Sequence, residues 1–379
     1  MDFTLTEEQK MLKTTAHDFL VDKYPREVLK EMERSEMGYS QQMWQEMADL
    51  GWIGLLLPEK YGGSEMSFID LGVLLEEMGY VCLMGPFFST VVLGALPILN
   101  FGSEEQKQEY LSKIASGKAI FTLALVEPHG KYDAASITVE AIRDKDGYVI
   151  DGTKSFVPNA HVADYILCVA RTSGRSKSED GITIFLVNAK SPGISCKVYK
   201  THSHEKLCKV VFDKVKVPKE NILGQLDHGW SVVQKTLEWA AVAKCCEMFG
   251  SMQEAFDMTV DYVKERRQFD RPIGSFQIIQ HYIVNMAMDV EGSRVITYQA
   301  AWMLSEGLPC TKEVSAAKAW VSNALSRVIT VANDCHATIG VTEDHDLHFH
   351  TIRAKAAEVT YGSADYHREL VAQEIGLNF

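Results

Sequence analysis

The spacing of apolar and polar residues changes twice along the chain, and each change predicts a domain boundary. Up to residue 117, apolar residues recur at helical spacing in five successive segments. Three of these segments begin with a capping box, in which a Ser or Thr precedes a Gln or Asp by three residues. The pairs are Thr6 with Gln9, Ser67 with Asp70, and Ser103 with Gln106. Residues 1–117 are therefore predicted to form an N-terminal helical domain.

From Ala119 the pattern becomes that of strands. Short runs rich in β-branched residues are separated by turn pairs, for example Asp146 with Gly147 and Asp180 with Gly181. The runs have ordinary strand lengths, and about seven of them precede Pro218. Residues 118–227 are predicted to form an antiparallel β-barrel or sandwich.

Helical spacing returns at Gly229 and lasts to the end of the chain. The pattern predicts long helices over residues 230–267, 275–306 and 312–337, with shorter helices after Phe349. Long helices joined by short loops pack as antiparallel neighbours, so residues 228–379 are predicted to form a four-helix bundle. The predicted fold class is α+β, mainly α, with helical, β and bundle domains in that order.

Composition excludes several classes of protein. The chain has 379 residues and a formal net charge of −13, which disfavours a nucleic-acid partner. No apolar run approaches the roughly 20 residues that cross a bilayer, so no membrane span is predicted. Residues 1–18 lack the basic start and apolar middle of a signal peptide, and a cytoplasmic location is expected.

Cysteines and histidines do not predict a metal site. The eight cysteines include no C-x-x-C pair and are expected to be free thiols. His345, His348 and His350 lie close together in sequence after His336, but acidic residues interrupt them. These histidines are predicted to have a surface or interface role, with no metal bound.

Residues 262–277 carry the chemistry that most distinguishes this chain. A long predicted helix ends with Arg266 and Arg267, and the turn at residues 272–274 reverses the chain. Basic residues often end helices because they suit the helix dipole. The alternative is an arm that reaches an anionic ligand outside its own subunit, with guanidinium groups on phosphate and Phe269 against an apolar edge.

This stretch resembles the acyl-CoA dehydrogenase family, in which an Arg-x-x-Phe arm is followed eight residues later by Gln. Arg266, Gln268, Phe269 and Gln277 match that arm, and the resemblance runs from residues 4–9 to the last helix. It implies that these residues grip the ADP half of FAD bound in a neighbouring subunit. It further implies an acyl-CoA thioester substrate, α,β-dehydrogenation, and an electron-transfer flavoprotein or similar acceptor. A dimer-based oligomer, in particular a tetramer, is expected.

The residue that would remove the substrate's α proton departs from the family pattern. Most members carry Glu before Gly in a run similar to Tyr-Glu-Gly-Thr, and Tyr361 occupies that place here. A phenol with an ordinary pKa near 10 is a poor base at neutral pH. Other members carry the base ten residues before Gly250, where this chain has Ala240. Glu358 and Glu238 are the remaining candidates, and both are out of register.

The positions that the resemblance places beside the flavin are also altered. Val126 lacks the hydroxyl of the family's Thr, while Phe156, Val157 and Pro158 stand where Trp-Ile-Thr is usual. Of the glycines in a Gly-Gly-x-Gly run near the FAD pyrophosphate, only Gly340 is kept. Phe156 and Val157 are interpreted as ordinary strand core.

Because the fold and the arm are kept while the reacting centre is altered, the sequence favours a subunit that supports a catalytic partner. FAD would then be shared between subunits at less than one per chain. The run at residues 343–348 resembles a branch of the family that includes small subunits of heteromeric dehydrogenases. One alternative is an independently active homo-oligomer with an unusual base. Another is a non-redox lyase, hydrolase or binding protein for CoA thioesters.

Overall fold

The structure, a computed structural model, describes residues 4–174 and 178–377. Its N-terminal part is helical, as predicted. Helices α1 to α7 span Glu7–Lys23, Arg26–Arg34, Gln41–Asp49, Phe68–Tyr80, Phe87–Thr90, Leu96–Phe101 and Glu104–Ala115. A π-helical turn at Val91–Ala95 joins α5 to α6.

The three predicted capping boxes are confirmed. At the start of α1, the Thr6 hydroxyl accepts a hydrogen bond from the Gln9 amide, and the Gln9 side chain accepts one from the Thr6 amide. The starts of α4 and α7 have the same reciprocal pair. Helix α2 was not predicted, because its buried apolar residues, Leu29 and Met32, are too few to establish a helical period.

The middle of the chain forms a mixed sheet rather than the antiparallel one expected. Strands β1 to β8 span Phe121–Ala124, Glu140–Asp144, Gly147–Pro158, Tyr165–Arg171, Ile182–Asn188, Ile194–Val198, Leu207–Pro218 and Ile222–Leu223. The order is β6-β7-β3-β2-β4-β5-β8, and β1 pairs in parallel with β4. The β2–β3 hairpin separates β1 from β4 in sequence, which leaves room for the crossover that parallel pairing requires.

Helices resume at α8, Gly229–Glu265, and continue with α9 to α12 at Gln277–Ser305, Thr311–His336, Leu347–Val359 and Ala364–Glu374. Between α8 and α9 lie two short paired strands, β9 at Arg267–Gln268 and β10 at Arg271–Pro272. Helix α8 ends at Glu265, two residues before the predicted end; the Arg266 amide still donates to the Tyr262 carbonyl at 2.8 Å, whereas Arg267 begins β9.

Contacts group the chain into two compact units. One holds the chain up to Lys30, Ser67–Leu83 and the chain from Glu238 onward; the other holds Glu31–Met66 and Met84–Leu237. The three-domain division of the sequence stays a prediction beside this grouping. Within the described residues, no helix combines the length and apolar character needed to span a membrane.

Two glycines allow helices α4 and α8 to touch through their backbones. A Cβ on Gly79 would lie 2.0 Å from the Glu247 carbonyl oxygen, and one on Gly250 would lie 1.8 Å from the Glu76 carbonyl oxygen. Both distances are far inside van der Waals contact, and the opposing atoms are backbone. The crossing therefore requires glycine on both helices.

Replacement of Gly250 by Ala should destabilise the chain by at least about 1–3 kcal/mol, the usual cost of overpacking, because the opposing atoms cannot rotate away. The measurement is thermal unfolding of the purified chain. Gly292→Ala in α9 is the matched control, since its Cβ would meet the Trp320 side chain at 3.3 Å. That variant should be neutral or slightly stabilised; equal losses for both variants would contradict the crossing argument.

Candidate functional site

The predicted arm is a small exposed hairpin beyond the end of α8. Gln268 pairs with Arg271, and the two residues between them, Phe269 and Asp270, have φ of 51° and 63°. Two consecutive positive φ values make a tight turn whose twist suits paired strands. Phe269 is 85% exposed, so its ring contributes almost nothing to the core of its own unit.

The arm presents positive charge together with aromatic surface. The Arg267 guanidinium donates to the Asp270 carbonyl at 2.6 Å, and the Arg271 guanidinium lies 4.0 Å from the centre of the Phe276 ring. The Arg266 side chain is exposed and makes no ion pair within the described residues. Gln268 and Gln277 are exposed as well. The four predicted arm residues are therefore all exposed, and the Phe269 ring meets the edge of Phe276 at 6.1 Å between ring centres.

Phe156 lies in a bulge of β3, and its interpretation as strand core is wrong. Pairing with β7 shifts register between Lys154 and Val157, which leaves Phe156 outside the ladder. Its φ is 55° and its side chain is half exposed, whereas Val157 is buried as expected. The ring packs on that of Tyr199, at 5.3 Å between ring centres. A bulge re-aims a side chain, and residues held at positive φ cluster at functional sites.

The structure brings Val126 and Pro158 to the same bulge. The Val126 carbonyl accepts a hydrogen bond from the Ser155 amide at 2.8 Å, so β3 lies directly beside it. The Pro158 carbonyl accepts one from the Thr122 hydroxyl at 2.6 Å. Val126 has no side-chain hydroxyl, and Pro158 has neither a hydroxyl nor a backbone N–H. Apolar and aromatic contacts are what the bulge presents.

A buried ion pair, which the sequence reasoning missed, supports the bulge from within. Lys154 is fully buried and donates to Glu127 at 2.8 Å and to the Leu125 carbonyl at 3.0 Å. Glu127 also accepts from the Val139 amide and from Thr138. Burial opposes ionisation of Glu127, but the Lys154 charge and these hydrogen bonds hold its pKa below the ordinary value. The glutamate and the lysine give no local sequence signal, because they are 27 residues apart in the chain.

Tyr361 lies in the turn between α11 and α12, as its alignment with the family's Glu predicted. Its φ is 59°, and that of Gly362 is 107°. His367 donates through Nε2 to the Tyr361 carbonyl at 2.9 Å. Burial lowers the pKa of His367 to about 4, so this histidine is neutral at physiological pH. The backbone at 361 is therefore fixed from the side of α12.

Lys318 fixes the same turn from the side of α10. Its ammonium is fully buried and donates to the carbonyls of Gly362 at 3.0 Å, Glu358 at 3.1 Å and Ala357 at 3.2 Å. It thereby satisfies carbonyls that the end of α11 would leave without partners. Burial lowers the pKa of Lys318 to about 8. Sequence reasoning did not single out this residue, because its partners are backbone atoms distant in sequence.

Neither remaining carboxylate is placed as an evident base. Glu358 is paired with Lys355 at 2.7 Å, one turn away on α11. Glu238 accepts a hydrogen bond from the Thr311 hydroxyl at 2.6 Å. Ala240, at the alternative base position, is completely buried. The roles of Tyr361, Glu358 and Glu238 stay predictions.

Gly340 is needed by the packing of its own chain. A Cβ there would lie 2.9 Å from the His336 Cβ and 3.0 Å from the Asn333 side-chain oxygen. The His336 ring stacks on Tyr262 at 4.3 Å between centres, near the end of α8. The segment that holds Gly340 is thus packed beside the base of the arm.

Ala337 keeps a glycine-like conformation where the family has glycine. Its φ is 55° and its ψ is −140°, a region that residues with a Cβ rarely occupy. This residue begins the short 3-10 segment Ala337–Val341.

The predicted surface or interface role is wrong for two of the histidines, because their side chains are buried within their own chain. His336 and His350 are buried. His350 accepts from or donates to the Ser251 hydroxyl at 2.8 Å, and burial lowers its pKa to about 3. Among the described residues, no group of three or more His, Cys, Asp or Glu side chains is arranged to hold a metal ion.

Comparison with known families accounts for this arrangement. Models of the N-terminal, middle and C-terminal domains of acyl-CoA dehydrogenase match residues 6–118, 122–215 and 227–376. The caffeyl-CoA reductase-Etf complex subunit CarC of Acetobacterium woodii is 31% identical over 347 residues, which cover 90% of this chain and 91% of that protein. This chain belongs to the acyl-CoA dehydrogenase family.

Solved structures of the family superpose over nearly the whole chain. Butyryl-CoA dehydrogenase from Megasphaera elsdenii has a TM-score of 0.93 and 30% identity, with 99% of this chain and 100% of that chain covered. The ChsE4-ChsE5 complex from Mycobacterium tuberculosis gives 0.91 and 27%, with both chains fully covered. The predicted α+β fold class is confirmed. Members of the family are flavin oxidoreductases and typically bind FAD.

Substitution of Ala337 by Gly should stabilise the chain by about 1–2 kcal/mol. Relief of a strained backbone conformation is worth roughly 1–3 kcal/mol, and the added freedom of the unfolded chain takes back about 0.4–1 kcal/mol. Thermal or denaturant unfolding measures the change. Ala356→Gly, inside α11, is the matched control and should lose about 1 kcal/mol. A destabilised Ala337→Gly variant would show that the conformation carries no strain.

Proposed function

We propose that this chain is a subunit of a heteromeric acyl-CoA dehydrogenase that completes the FAD site of a partner subunit, while its own reacting centre is degenerate. The reaction served is α,β-dehydrogenation of an acyl-CoA thioester. The proposal extends to a tetramer built from dimers, with an electron-transfer flavoprotein or a similar acceptor. The observation that carries it is the contrast between an intact, exposed arm and an altered base position.

The arm supports the first part of the proposal, that this chain completes the FAD site of a partner subunit. Arg266 is exposed without an ion pair, and Phe269 is almost fully exposed on a hairpin of defined shape. An exposed aromatic ring costs free energy in water, so a surface that covers it is favoured. A guanidinium beside an aromatic ring suits a phosphate linked to a flat heterocycle. Arg266, Gln268, Phe269 and Gln277 would therefore hold the ADP half of FAD in a neighbouring subunit.

The turn at Tyr361 supports the second part of the proposal, that this chain's own active site is degenerate. Lys318 and His367 hold the backbone there, so the family's turn is kept while the carboxylate is missing. General base catalysis typically contributes about 10²–10⁴-fold, and a phenol with an ordinary pKa near 10 is a poor base at neutral pH. Glu358 and Glu238 are engaged by Lys355 and Thr311.

The residues that would lie beside the flavin ring fit FAD only in part. The bulge presents Phe156, which can pack on a ring system, but the side chains of Val126 and Pro158 supply no hydrogen-bond donor. Gly340 is closed in by His336 and Asn333, and Ala337 carries a Cβ. When bound, FAD supplies the hydride acceptor. This chain's contribution to its own site would be limited to packing against the ring.

Related proteins support a heteromeric assembly. One solved relative is described as a ChsE4-ChsE5 complex, and another relative is named as a subunit of a caffeyl-CoA reductase-Etf complex. The alternative of an independently active homo-oligomer with an unusual base stays open to test. Some relatives are named as reductases. Reduction of an enoyl-CoA, the reverse reaction, is therefore a second candidate function.

Substitution of Arg266 by Ala should weaken FAD retention by about 1.5–3 kcal/mol, the contribution of a hydrogen bond to a charged group, without changing the fold. Flavin absorbance per protein after gel filtration of the assembled complex measures the loss. Lys264→Ala is the matched control, since Lys264 is exposed nearby but pairs with Asp261. Equal flavin content in wild-type and Arg266→Ala complexes would contradict the role of the arm.

The chain purified alone should hold FAD at well below one per subunit and should not reduce an electron acceptor with any acyl-CoA. Co-expression with a family member that retains the Glu-Gly pair should give about one FAD per pair of unlike chains, since only the partner's site has a base. The flavin stoichiometry gives the FAD content of each preparation, and anaerobic titration with acyl-CoA shows whether that FAD is reduced. Full flavin and rapid bleaching by the lone chain would overturn the proposal. In that case, loss of activity in Tyr361→Phe or Glu358→Gln would identify the unusual base.

A further inference from the structure

Two cysteines and a histidine meet at the β6 edge of the sheet. In the antiparallel pairing of β6 with β7, Cys196 faces Val210 and Val198 faces Cys208. The two cysteines are therefore offset by two residues, which places their side chains on the same face as diagonal neighbours. Cys196 is exposed, whereas the other seven cysteines, all within the described residues, are buried.

His161 completes the cluster, and its hydrogen bonds define which nitrogen faces the thiol. Its Nε2 lies 3.1 Å from the Met37 carbonyl oxygen, which can only accept, so Nε2 carries the proton. In the neutral ring Nδ1 is then an acceptor, and it lies 3.7 Å from the Cys208 sulfur. Nδ1 can take the proton of the Cys208 thiol.

The electrostatics of the pair agree with this geometry. A hydrogen bond from the Cys196 thiol, together with His161, lowers the pKa of Cys208 to about 5 against the effect of burial. The same hydrogen bond raises the pKa of Cys196. The pair thus loses one proton readily and shares the other between the two sulfurs. When the shared proton lies on Cys208, the exposed Cys196 sulfur carries the negative charge.

We infer that Cys196 and Cys208 form an oxidisable thiol pair that closes to a disulfide when the chain meets a hydroperoxide, with His161 as the proton acceptor. The Cys196 thiolate attacks the peroxide O–O bond and becomes a sulfenic acid, while the other oxygen leaves as alkoxide or hydroxide and takes from solvent the proton that the thiol pair had released. His161 takes the proton from Cys208, whose sulfur attacks that of Cys196 and expels hydroxide. Hydroxide and the His161 proton leave as water, so two thiols are oxidised and one peroxide is reduced.

The position of the pair gives the disulfide a structural effect. Cys208 pairs with Val157, next to the bulge that presents Phe156, and the residue after β6 is Tyr199, on which Phe156 packs. A bridge would tie the edge strand β6 to the strand that borders this bulge. It is a modification site outside the residues proposed above for the flavin and the substrate.

The test uses the full chain, hydrogen peroxide and tryptic mapping without reduction. The wild-type chain should lose two hydrogen masses, and the fragments 191–197 and 207–209 should be recovered as one linked species. Cys208→Ser should stop at a sulfenic acid on Cys196 that a dimedone probe captures, and Cys196→Ser should give no linked species. Cys310→Ser, at a buried thiol elsewhere, should behave as the wild type.

His161→Gln separates proton transfer from mere proximity. Its amide can still donate to the Met37 carbonyl, but it offers no ring nitrogen to the thiol. Because each unit of thiol pKa changes the thiolate fraction about tenfold, the linked species should form roughly tenfold more slowly, or slower still. An unchanged rate would overturn the role of His161. The proposal of a thiol pair would be overturned if, in the wild-type chain, Cys196 took up two oxygen atoms while fragment 207–209 stayed unlinked.

Discussion

The backbone contact between α4 and α8 is the constraint on which most of the helical unit depends. Gly79 and Gly250 bring the two helices closer than any side chain permits, and this closeness fixes the rotation of α8 about its axis. With the rotation fixed, Ala240 and Ala241 face inward and are buried. The same helix ends at Glu265, where the arm hairpin begins. A contact made without side chains thus sets where the side chains of a whole helix can act.

Local signals predicted the fold well because they act over three or four residues. Capping boxes, turn pairs and apolar periods located the helices, since each depends only on neighbours in the chain. Features set by distant residues were missed. The parallel pairing of β1 with β4, the bulge at Phe156 and the burial of His350 each depend on a partner strand or helix that is remote in sequence.

For the candidate site, the motif positions were predictable and their conformations were not. The arm is exposed at Arg266 and Phe269, as the spacing indicated, and Tyr361 lies in the expected turn. The supporting groups were invisible to sequence reasoning. Lys318 on α10 reaches carbonyls at the end of α11, and Lys154 reaches Glu127, which lies 27 residues earlier in the chain. A buried lysine is costly unless its partners are in place, so both pairs also restrict how the segments can fold.

Three residues at positions altered from the family pattern, Phe156, Ala337 and Tyr361, have φ of 55°, 55° and 59°. The backbone is thus left-handed at three places where the side chain departs from the family pattern. This coincidence has a consequence for protein engineering. Glycine adopts this conformation without the strain that a Cβ brings. Exchanges to glycine at these positions should therefore leave the scaffold in place, so that the effect of each side chain can be measured by itself.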